Sequence, residues 1–327
     1  MNTIKDVAKK AGVSITTVSR VLNNNNYISD MTRKKVLDAM KELDYYPHQI
    51  ARALSKKQTF IIGVILPDSS NPFFAQLLKN IEQVAQCKNY KVLLCNSLND
   101  KEKELSYIKM LKENRVDGII MGSHVLNMEA YKNITEPIIA FERYINNSIP
   151  YVTSDNYTGG QLATNHLIER GCKNLLHISG PLDLSIDANR RADAFKLTCI
   201  DNEIDYYIVE YQDLNLNFEY FYKFIETNID KYLDKIDGVF CSNDILAYAL
   251  YVYCKNKNIN VPDTLKIVGY DNSQITQMLK TPRLTTIAQP IDLIGKILCE
   301  NLIRLIEKKG DAYNQQLSVT FIKGETT

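Results

Sequence analysis

The sequence predicts an α/β protein in which an N-terminal three-helix head is followed by two doubly wound parallel-sheet lobes. Helical spacing of apolar residues dominates residues 1–45. From Thr59 onward, short apolar runs alternate with longer amphipathic stretches, the pattern of βαβ units. About four strand–helix repeats precede Asp155 and about four follow it, which two lobes accommodate more economically than one very wide sheet. A segment at 46–58 would then join the head to a core at 59–327.

The head begins with two short helices separated by a turn. Gly12 can leave the first helix with a positive φ, and Ser14 is a typical N-cap for the second. Ser29 can cap a third helix. The apolar faces of the three helices are formed by Ile4, Val7, Ala8 and Ala11, by Val18, Val21 and Leu22, and by Val36, Ala39, Met40 and Leu43.

This spacing is typical of a helix-turn-helix, whose second helix enters the major groove of DNA. Ile15, Thr16 and Arg20 then face outward near the N-terminal half of that helix. The same spacing also occurs in ordinary small helical bundles, and charge favours the DNA-binding interpretation. Residues 1–57 contain 11 Lys/Arg and 5 Asp/Glu, a net charge of +6, whereas the whole chain is +1. A basic head on an acidic body is the electrostatic pattern expected for phosphate binding.

Composition and the absence of known motifs argue against a secreted protein, a membrane protein and an enzyme. The seven cysteines are scattered without a C-x-x-C pair, which indicates reduced, mostly buried thiols. Neither a signal-peptide core nor a membrane-length apolar run appears, so we expect a cytoplasmic protein without membrane contact. The sequence lacks the phosphate-loop, dinucleotide, nucleophile-elbow and zinc-protease motifs. The four histidines are far apart in sequence, so we expect neither an enzyme nor a metal site or cofactor.

The core contains apolar runs of strand length separated by helical stretches. The predicted strands are 60–66, 91–95, 118–121, 138–141, 175–179, 206–211, 238–241 and 266–269. The predicted helices are 73–86, 102–113, 159–170, 191–202, 218–233, 244–256 and 291–308.

Polar and aromatic residues follow several predicted strands. Ligands in open α/β sheets lie beyond the carboxyl ends of the strands, so these residues form a candidate site. A sugar presents hydroxyl groups and apolar C–H faces, which require carboxylates, Arg, amides and aromatic rings. Asn after a strand also commonly caps a helix, and Phe commonly fills a core, so each residue alone is ambiguous. The set is Asn71, Phe73, Phe74, Glu142, Arg143, Arg190, Asn243, Asp244, Asp271 and Gln289.

Several segments resemble the lactose-repressor (LacI/GalR) family of transcriptional regulators. In the head these segments are Ile4-Lys-Asp-Val-Ala, Ala11-Gly-Val-Ser, Thr17-Val-Ser-Arg-Val-Leu and Thr32-Arg-Lys-Lys-Val. Tyr46-Pro-His-Gln-Ile-Ala-Arg-Ala-Leu54 resembles the family's hinge, and the resemblance extends to Thr285-Thr-Ile-Ala-Gln-Pro290. It implies lobes of the periplasmic-binding-protein type with crossings near 153–157, 282–289 and 317–321. Lobe 1 would comprise about 59–155 and 287–318, and lobe 2 about 156–284 and 319–327.

The resemblance also implies roles for individual residues. Ile15, Thr16 and Arg20 would contact bases, with Arg20 reading a guanine. Asn23, Ser29 and Thr32 would contact phosphates. Leu54 would wedge into the minor groove at the centre of a palindromic operator. The effector would contact Asn71, Phe73, Phe74, Arg143, Arg190, Asn243, Asp271 and Gln289.

Together these inferences predict a homodimeric repressor whose affinity for double-stranded operator DNA is controlled by a small sugar. Ribose fits the expected effector-binding residues best, with sucrose or fructose as close alternatives. Leu214 stands where a purine sandwich would need an aromatic ring, which makes a purine effector weaker. A cytoplasmic sugar-binding protein, a global carbon-catabolite regulator not dedicated to one operon and a transport binding protein are the other candidates. The basic head and the missing signal peptide disfavour the transport protein.

Overall fold

A computed structural model describes residues 2–22, 27–45, 58–98, 100–113, 116–123, 131, 134, 136–212, 217–279, 281–310 and 312–327. The chain forms two compact units, Met1–Phe60 and Ile61–Thr327. We call the first unit the head and the second unit the core.

The head contains three helices, α1 (Ile4–Ala11), α2 (Ile15–Leu22) and α3 (Asp30–Glu42). Their ends are set by local chemistry. Gly12 ends α1 at φ 66°. The Ser14 hydroxyl accepts a hydrogen bond from the backbone N–H of Thr17, and Ser29 caps α3 by accepting from the N–H of Thr32. The buried residues of the head are Val7, Ala8, Val18, Val21, Val36 and Ala39.

The core contains two six-stranded sheets whose strands are numbered along the chain. They are β1 (Ile61–Leu66), β2 (Lys91–Asn96), β3 (Gly118–Met121), β4 (Ile138–Phe141), β5 (Tyr151–Ser154), β6 (Asn174–Ser179), β7 (Asp205–Glu210), β8 (Gly238–Cys241), β9 (Lys266–Asp271), β10 (Thr285–Ala288), β11 (Gln315–Leu317) and β12 (Thr320–Ile322). The first sheet has the order β11-β5-β4-β3-β1-β2 and is parallel throughout. The second has the order β12-β10-β9-β8-β6-β7, with β12 antiparallel to β10.

Helices connect the strands of each sheet, as the alternating pattern predicts. In the core they are α4 (Pro72–Cys87), α5 (Lys101–Glu113), α6 (Asn156–Glu169), α7 (Arg190–Asp201), α8 (Phe218–Phe224), α9 (Asp244–Asn256), α10 (Gln274–Met278) and α11 (Ile291–Ile306). Helix α8 continues into a π-helical turn at Ile225–Ile229 and a 3₁₀ turn at Asp230–Tyr232, where the sequence predicts one helix over 218–233. Within the described residues, no helix is long and apolar enough to cross a membrane.

The predicted fold class is confirmed, and four short strands are additional to the sequence prediction. These strands are β5, β10, β11 and β12, of three or four residues each. They are too short for a periodic signal, and β5 and β10 fall in the segments expected to cross between lobes. The chain passes between the sheets after β5, after β10 and between β11 and β12. Because β10 belongs to the second sheet, the middle crossing follows Ala288, later than the lobe limits of 284 and 287 suggested by sequence.

Candidate functional site

A cavity of about 160 Å³ lies at the carboxyl ends of strands from both sheets of the core. Pro67 follows β1, Ser242 follows β8, and Asp271 ends β9. This is the position at which open α/β sheets bind ligands. Of the effector residues expected from the sequence, the cavity is lined by Asn71, Phe73, Phe74, Asn243, Asp271 and Gln289.

Three aromatic rings form the apolar wall of the cavity. Phe73 and Phe74 meet edge to face with their ring centroids 5.3 Å apart. Phe73 also stacks on Phe141, the last residue of β4, at 5.9 Å and an interplanar angle of 21°. Such rings offer flat apolar surfaces on which the C–H face of a sugar can pack.

Asn71 and Asn243 occupy equivalent positions in the two lobes, each between a strand and the helix that follows it. The side-chain oxygen of Asn71 accepts from the N–H of Phe73 at 3.0 Å. The side-chain oxygen of Asn243 accepts from the N–H of Leu246 at 2.9 Å. Both residues therefore cap helices, and the amide NH₂ is the group that each can present to a ligand.

Arg191, rather than the expected Arg190, lines the cavity. Arg190 is exposed and lies over the ring of Tyr157, at 5.7 Å from its centroid. Arg191 is buried, and its guanidinium carbon lies 3.6 Å from the ring centroid of Tyr270. Its Nε donates to Asn156 at 2.7 Å, and Nη1 donates to the carbonyl of Ser242 at 2.8 Å. These contacts hold the cation rigidly beside the cavity.

Glu142 is the buried counterpart of this cation. Its carboxylate accepts from the N–H of Ser154 at 2.8 Å and from the side-chain amide of Asn156 at 2.7 Å. Burial raises the pKa of Glu142, although the charge of Arg191 and the two hydrogen bonds oppose this shift. The carbonyl of Glu142 also accepts from the N–H of Asp187, which connects the two lobes.

Asp271 lies at the end of a polar chain that begins in the other lobe. The Ser154 hydroxyl donates to Oε1 of Gln289 at 2.6 Å, and Nε2 of Gln289 donates to Asp271 at 2.7 Å. Burial raises the pKa of Asp271, and the negative charge of nearby Asp244 raises it further. Asp271 has a φ of 113°, a left-handed backbone conformation that is costly for a residue with a side chain.

Asp244 is held below the cavity by hydroxyl groups. Its two carboxylate oxygens accept from Thr276 and Thr286, each at 2.6 Å. Burial raises the pKa of Asp244, while these hydrogen bonds lower it. Both carboxylate oxygens of Asp244 thus bind hydroxyl groups of the protein, and Asp244 does not line the cavity, whereas the neighbouring Asn243 does.

Arg143 is placed away from the cavity. Its side chain is buried in the first lobe with its guanidinium carbon 6.0 Å from the ring centroid of Tyr131. Tyr131 in turn donates to the buried carboxylate of Glu104. Glu142 lies in a bend directly after β4 at a φ of 56°, so the side chains of Glu142 and Arg143 leave the backbone in different directions. Glu142 consequently faces the cavity, and the expected effector contact by Arg143 is not part of this geometry.

Several cavity residues were not anticipated from the sequence. Ser179 ends β6, while Tyr211 and Ser242 directly follow β7 and β8. The expectation that ligands lie beyond the carboxyl ends of the strands, here called the strand-end rule, could therefore have identified them. His177 also lines the cavity, but it lies inside β6, where the sequence pattern gives no signal. Among the described residues, no cluster of His, Cys, Asp and Glu is arranged to hold a metal ion.

The head presents its candidate DNA-binding residues at the surface. Ile15 is 45% exposed, and Thr16 and Arg20 on the same helix are also exposed. Ser29 and Thr32 lie at the N-terminus of α3 with their hydroxyls 2.9 Å apart. A helix N-terminus is favourable for a phosphate. The expected phosphate contact Asn23, the expected wedge Leu54 and residues 46–57 of the predicted hinge at 46–58 lie outside the described residues.

The two units match two family models. Residues 3–48 match the model of bacterial regulatory proteins of the lacI family. Residues 59–326 match the model of periplasmic binding proteins and the sugar-binding domain of the LacI family. The fold and the cavity thus define a ligand-responsive regulator of the helix-turn-helix class. The chain belongs to the lacI family of bacterial regulatory proteins.

Individual relatives are similar over nearly the whole chain. A ribose operon repressor of Halalkalibacterium halodurans is 39% identical to this protein. The matched region covers 100% of this chain and 97% of the repressor. A sucrose operon repressor of Pediococcus pentosaceus is 40% identical, and the matched region covers 99% of this chain and 98% of that repressor. A crystal structure of the lac repressor dimer bound to operator and the anti-inducer ONPF has a TM-score of 0.84. It is 26% identical and covers 100% of this chain and 99% of that chain.

Proposed function

We propose that this protein is a cytoplasmic repressor that binds a palindromic operator as a homodimer and responds to a small sugar, with ribose as the first candidate. The observation that carries the proposal is the cavity itself. It combines an aromatic wall with Asp271, Arg191 and two side-chain amides at the strand ends of both lobes. Similarity to a ribose operon repressor supports the choice of ribose.

The donors and acceptors of the cavity match a neutral polyhydroxylated ring. Each sugar hydroxyl can donate to Asp271 and accept from Arg191 or from an amide of Asn71 or Asn243. The ring face can pack on Phe73. A cavity of about 160 Å³ has room for one sugar ring, since an engineered cavity of about 150 Å³ holds one benzene.

Sucrose is a second candidate effector for a specific reason. A neighbouring cavity of about 420 Å³ shares Asn71 with the first and is lined mainly by apolar groups, including Phe218, Ile245 and Tyr248. A disaccharide could extend from one cavity into the other. The similarity to a sucrose operon repressor favours the same candidate, and fructose would fit the first cavity alone.

Binding in the cavity would control DNA through the arrangement of the lobes. Contacts between lobes, such as that of Glu142 with Asp187, surround the cavity, so a bound sugar changes the relative stability of open and closed arrangements. Operator and effector affinities must then be coupled reciprocally, typically by about 5–150-fold. Base contacts by Ile15, Thr16 and Arg20 and phosphate contacts by Ser29 and Thr32 belong to the same proposal.

The proposal is tested with the full-length protein in two measurements. Thermal melting in the presence of ribose, fructose, sucrose and glucose identifies the sugar that stabilises the fold. Fluorescence anisotropy with a palindromic operator then measures how that sugar changes DNA affinity. We expect ribose to raise the melting temperature and to change operator affinity at least about fivefold. Sugar binding without DNA binding would instead indicate a sugar-binding protein, and a response to no sugar would refute the proposal.

A further inference from the structure

His177 is buried between aromatic rings at the bottom of the cavity. It lies in β6 beside Phe240 of β8, and only 1% of its surface is exposed. The imidazole stacks on the Phe240 ring with a centroid distance of 4.6 Å and an interplanar angle of 21°. Phe195 packs at 5.3 Å from the imidazole centroid. The ring therefore has a fixed position and orientation.

The hydrogen bond at one ring nitrogen determines the tautomer of His177. Nδ1 lies 2.9 Å from the carbonyl oxygen of Phe240. A carbonyl oxygen can only accept, so Nδ1 carries the proton and donates it. Burial and the positive charge of Arg191 together lower the pKa of His177 to about 4, although the hydrogen bond to the Phe240 carbonyl opposes this shift, so the ring is neutral near pH 7. Nε2 is consequently an acceptor.

Nε2 of His177 is buried and has no hydrogen-bond partner among the described residues. The nearby guanidinium of Arg191 directs Nε to Asn156 and Nη1 to the carbonyl of Ser242. A buried acceptor without a partner is costly, and folded proteins contain few of them. Because His177 lines the cavity, an occupant of the cavity can supply the missing donor.

We propose that Nε2 of His177 accepts a hydrogen bond from a hydroxyl group of the bound sugar, which makes His177 a specificity-determining residue. The inference rests on the proposed function, because it assigns one contact of the same site. It also defines the group that the sugar must place beside Nε2. A neutral imidazole acceptor requires a hydrogen-bond donor, so a free hydroxyl group satisfies His177, whereas an ionised phosphate oxygen or a deoxy position beside it does not.

Nitrogen-15 NMR of histidine-labelled full-length protein tests the contact directly. Titration with D-ribose should move the Nε2 resonance of His177, because accepting a hydrogen bond changes the shielding of an unprotonated ring nitrogen. His166 is the internal control, since its Nε2 already lies 2.8 Å from the hydroxyl of Thr327. The His177→Phe variant assigns the resonance. An unmoved His177 resonance at ribose saturation, verified by calorimetry, overturns the inference and leaves the proposed function standing.

A comparison of ribose with its deoxy analogues supplies a second readout. For the wild-type protein, we expect one of 2-deoxy-, 3-deoxy- and 5-deoxyribose to bind at least about tenfold more weakly than ribose. In His177→Leu that same penalty should fall below about threefold, while His177→Gln should keep part of it. The ratio within one variant is insensitive to a general loss of stability. Wild-type ratios in His177→Leu would overturn the inference, and failure of ribose, fructose and sucrose to bind would refute both proposals.

Discussion

Gln289 donates a hydrogen bond of 2.7 Å from its amide nitrogen to the carboxylate of Asp271. Gln289 follows β10 at the middle crossing, and its oxygen accepts from Ser154 of the first lobe. The carboxylate at the mouth of the second lobe is therefore linked to the first lobe through the crossing segment. A ligand that contacts Asp271 acts on this link directly.

The raised pKa of Asp271 predicts pH-dependent sugar binding. Burial and the charge of Asp244 make the native protein bind the proton of Asp271 more tightly than the unfolded chain does. The stability from this group is therefore present at acidic pH and is lost as pH rises through the native pKa. If sugar hydroxyls donate to the ionised carboxylate, sugar affinity should increase over the same range. Calorimetry at several pH values measures this, and Asp271→Asn should flatten the profile; a wild-type profile that is already flat would contradict the assignment.

Replacement of Arg191 should remove the sugar response, whereas replacement of Arg190 should not. Arg191→Lys keeps the charge but cannot reproduce the donors to Asn156 and Ser242, so we expect at least about a tenfold reduction of ribose affinity. Arg190→Lys is the matched control because that side chain is exposed and outside the cavity lining. Calorimetry measures the ribose affinity of both variants, and equal reductions of affinity would contradict the assignment of Arg191 to the cavity.

Arg20 should determine one base of the operator. Its side chain is exposed on α2, and a bidentate contact with guanine requires the planar guanidinium. Arg20→Ala should cost about 1–3 kcal/mol of operator affinity and relax one base position. Arg20→Lys should relax the same position while it retains the charge. A binding selection on randomised operators measures both effects, and an unchanged preference in both variants would exclude this role.

Operator affinity should fall steeply as salt concentration rises, because the net charge of +6 is confined to residues 1–57. Replacing both Lys34 and Lys35 by Gln should make the slope of log affinity against log salt shallower, by about 1 for each lysine that binds a phosphate. Arg170→Gln in the core is the control and should keep the wild-type slope. Anisotropy titrations between low and moderate salt provide the measurement. A flat wild-type response would contradict phosphate binding by the head.

Gly160 allows α6 and α7 to approach closely beneath Arg191. A methyl group at Gly160 would lie 2.6 Å from the carbonyl oxygen of Arg191 and 2.9 Å from Cβ of Ala194. Gly160→Ala should therefore lower the free energy of unfolding by about 1–3 kcal/mol through overpacking. Asn165→Ala, an exposed position on the same helix, should stay within about 0.5 kcal/mol of wild type. Urea denaturation of both variants tests the difference, and equal stabilities would show that the helices separate without cost.

Local sequence determines the elements and their order in this protein. Ser14 and Ser29 cap α2 and α3, and Gly12 ends α1, because capping depends on residues within one helical turn. Apolar runs alternating with amphipathic stretches likewise specify parallel strands and helices in each lobe. The strand-end rule brought Asn71, Asn243 and other predicted site residues to one cavity without knowledge of any tertiary interaction.

Only the tertiary structure decides which side chain of a neighbouring pair enters the cavity. Successive residues of a helix are rotated by about 100°, so Arg191 faces the cavity while Arg190 faces solvent. Glu142 and Arg143 diverge at the bend after β4, where Glu142 has a φ of 56°. His177 became a candidate through packing on Phe240 and the hydrogen bond to its carbonyl, both of which join strands 63 residues apart. Such interactions depend on sheet pairing, which local sequence pattern does not encode.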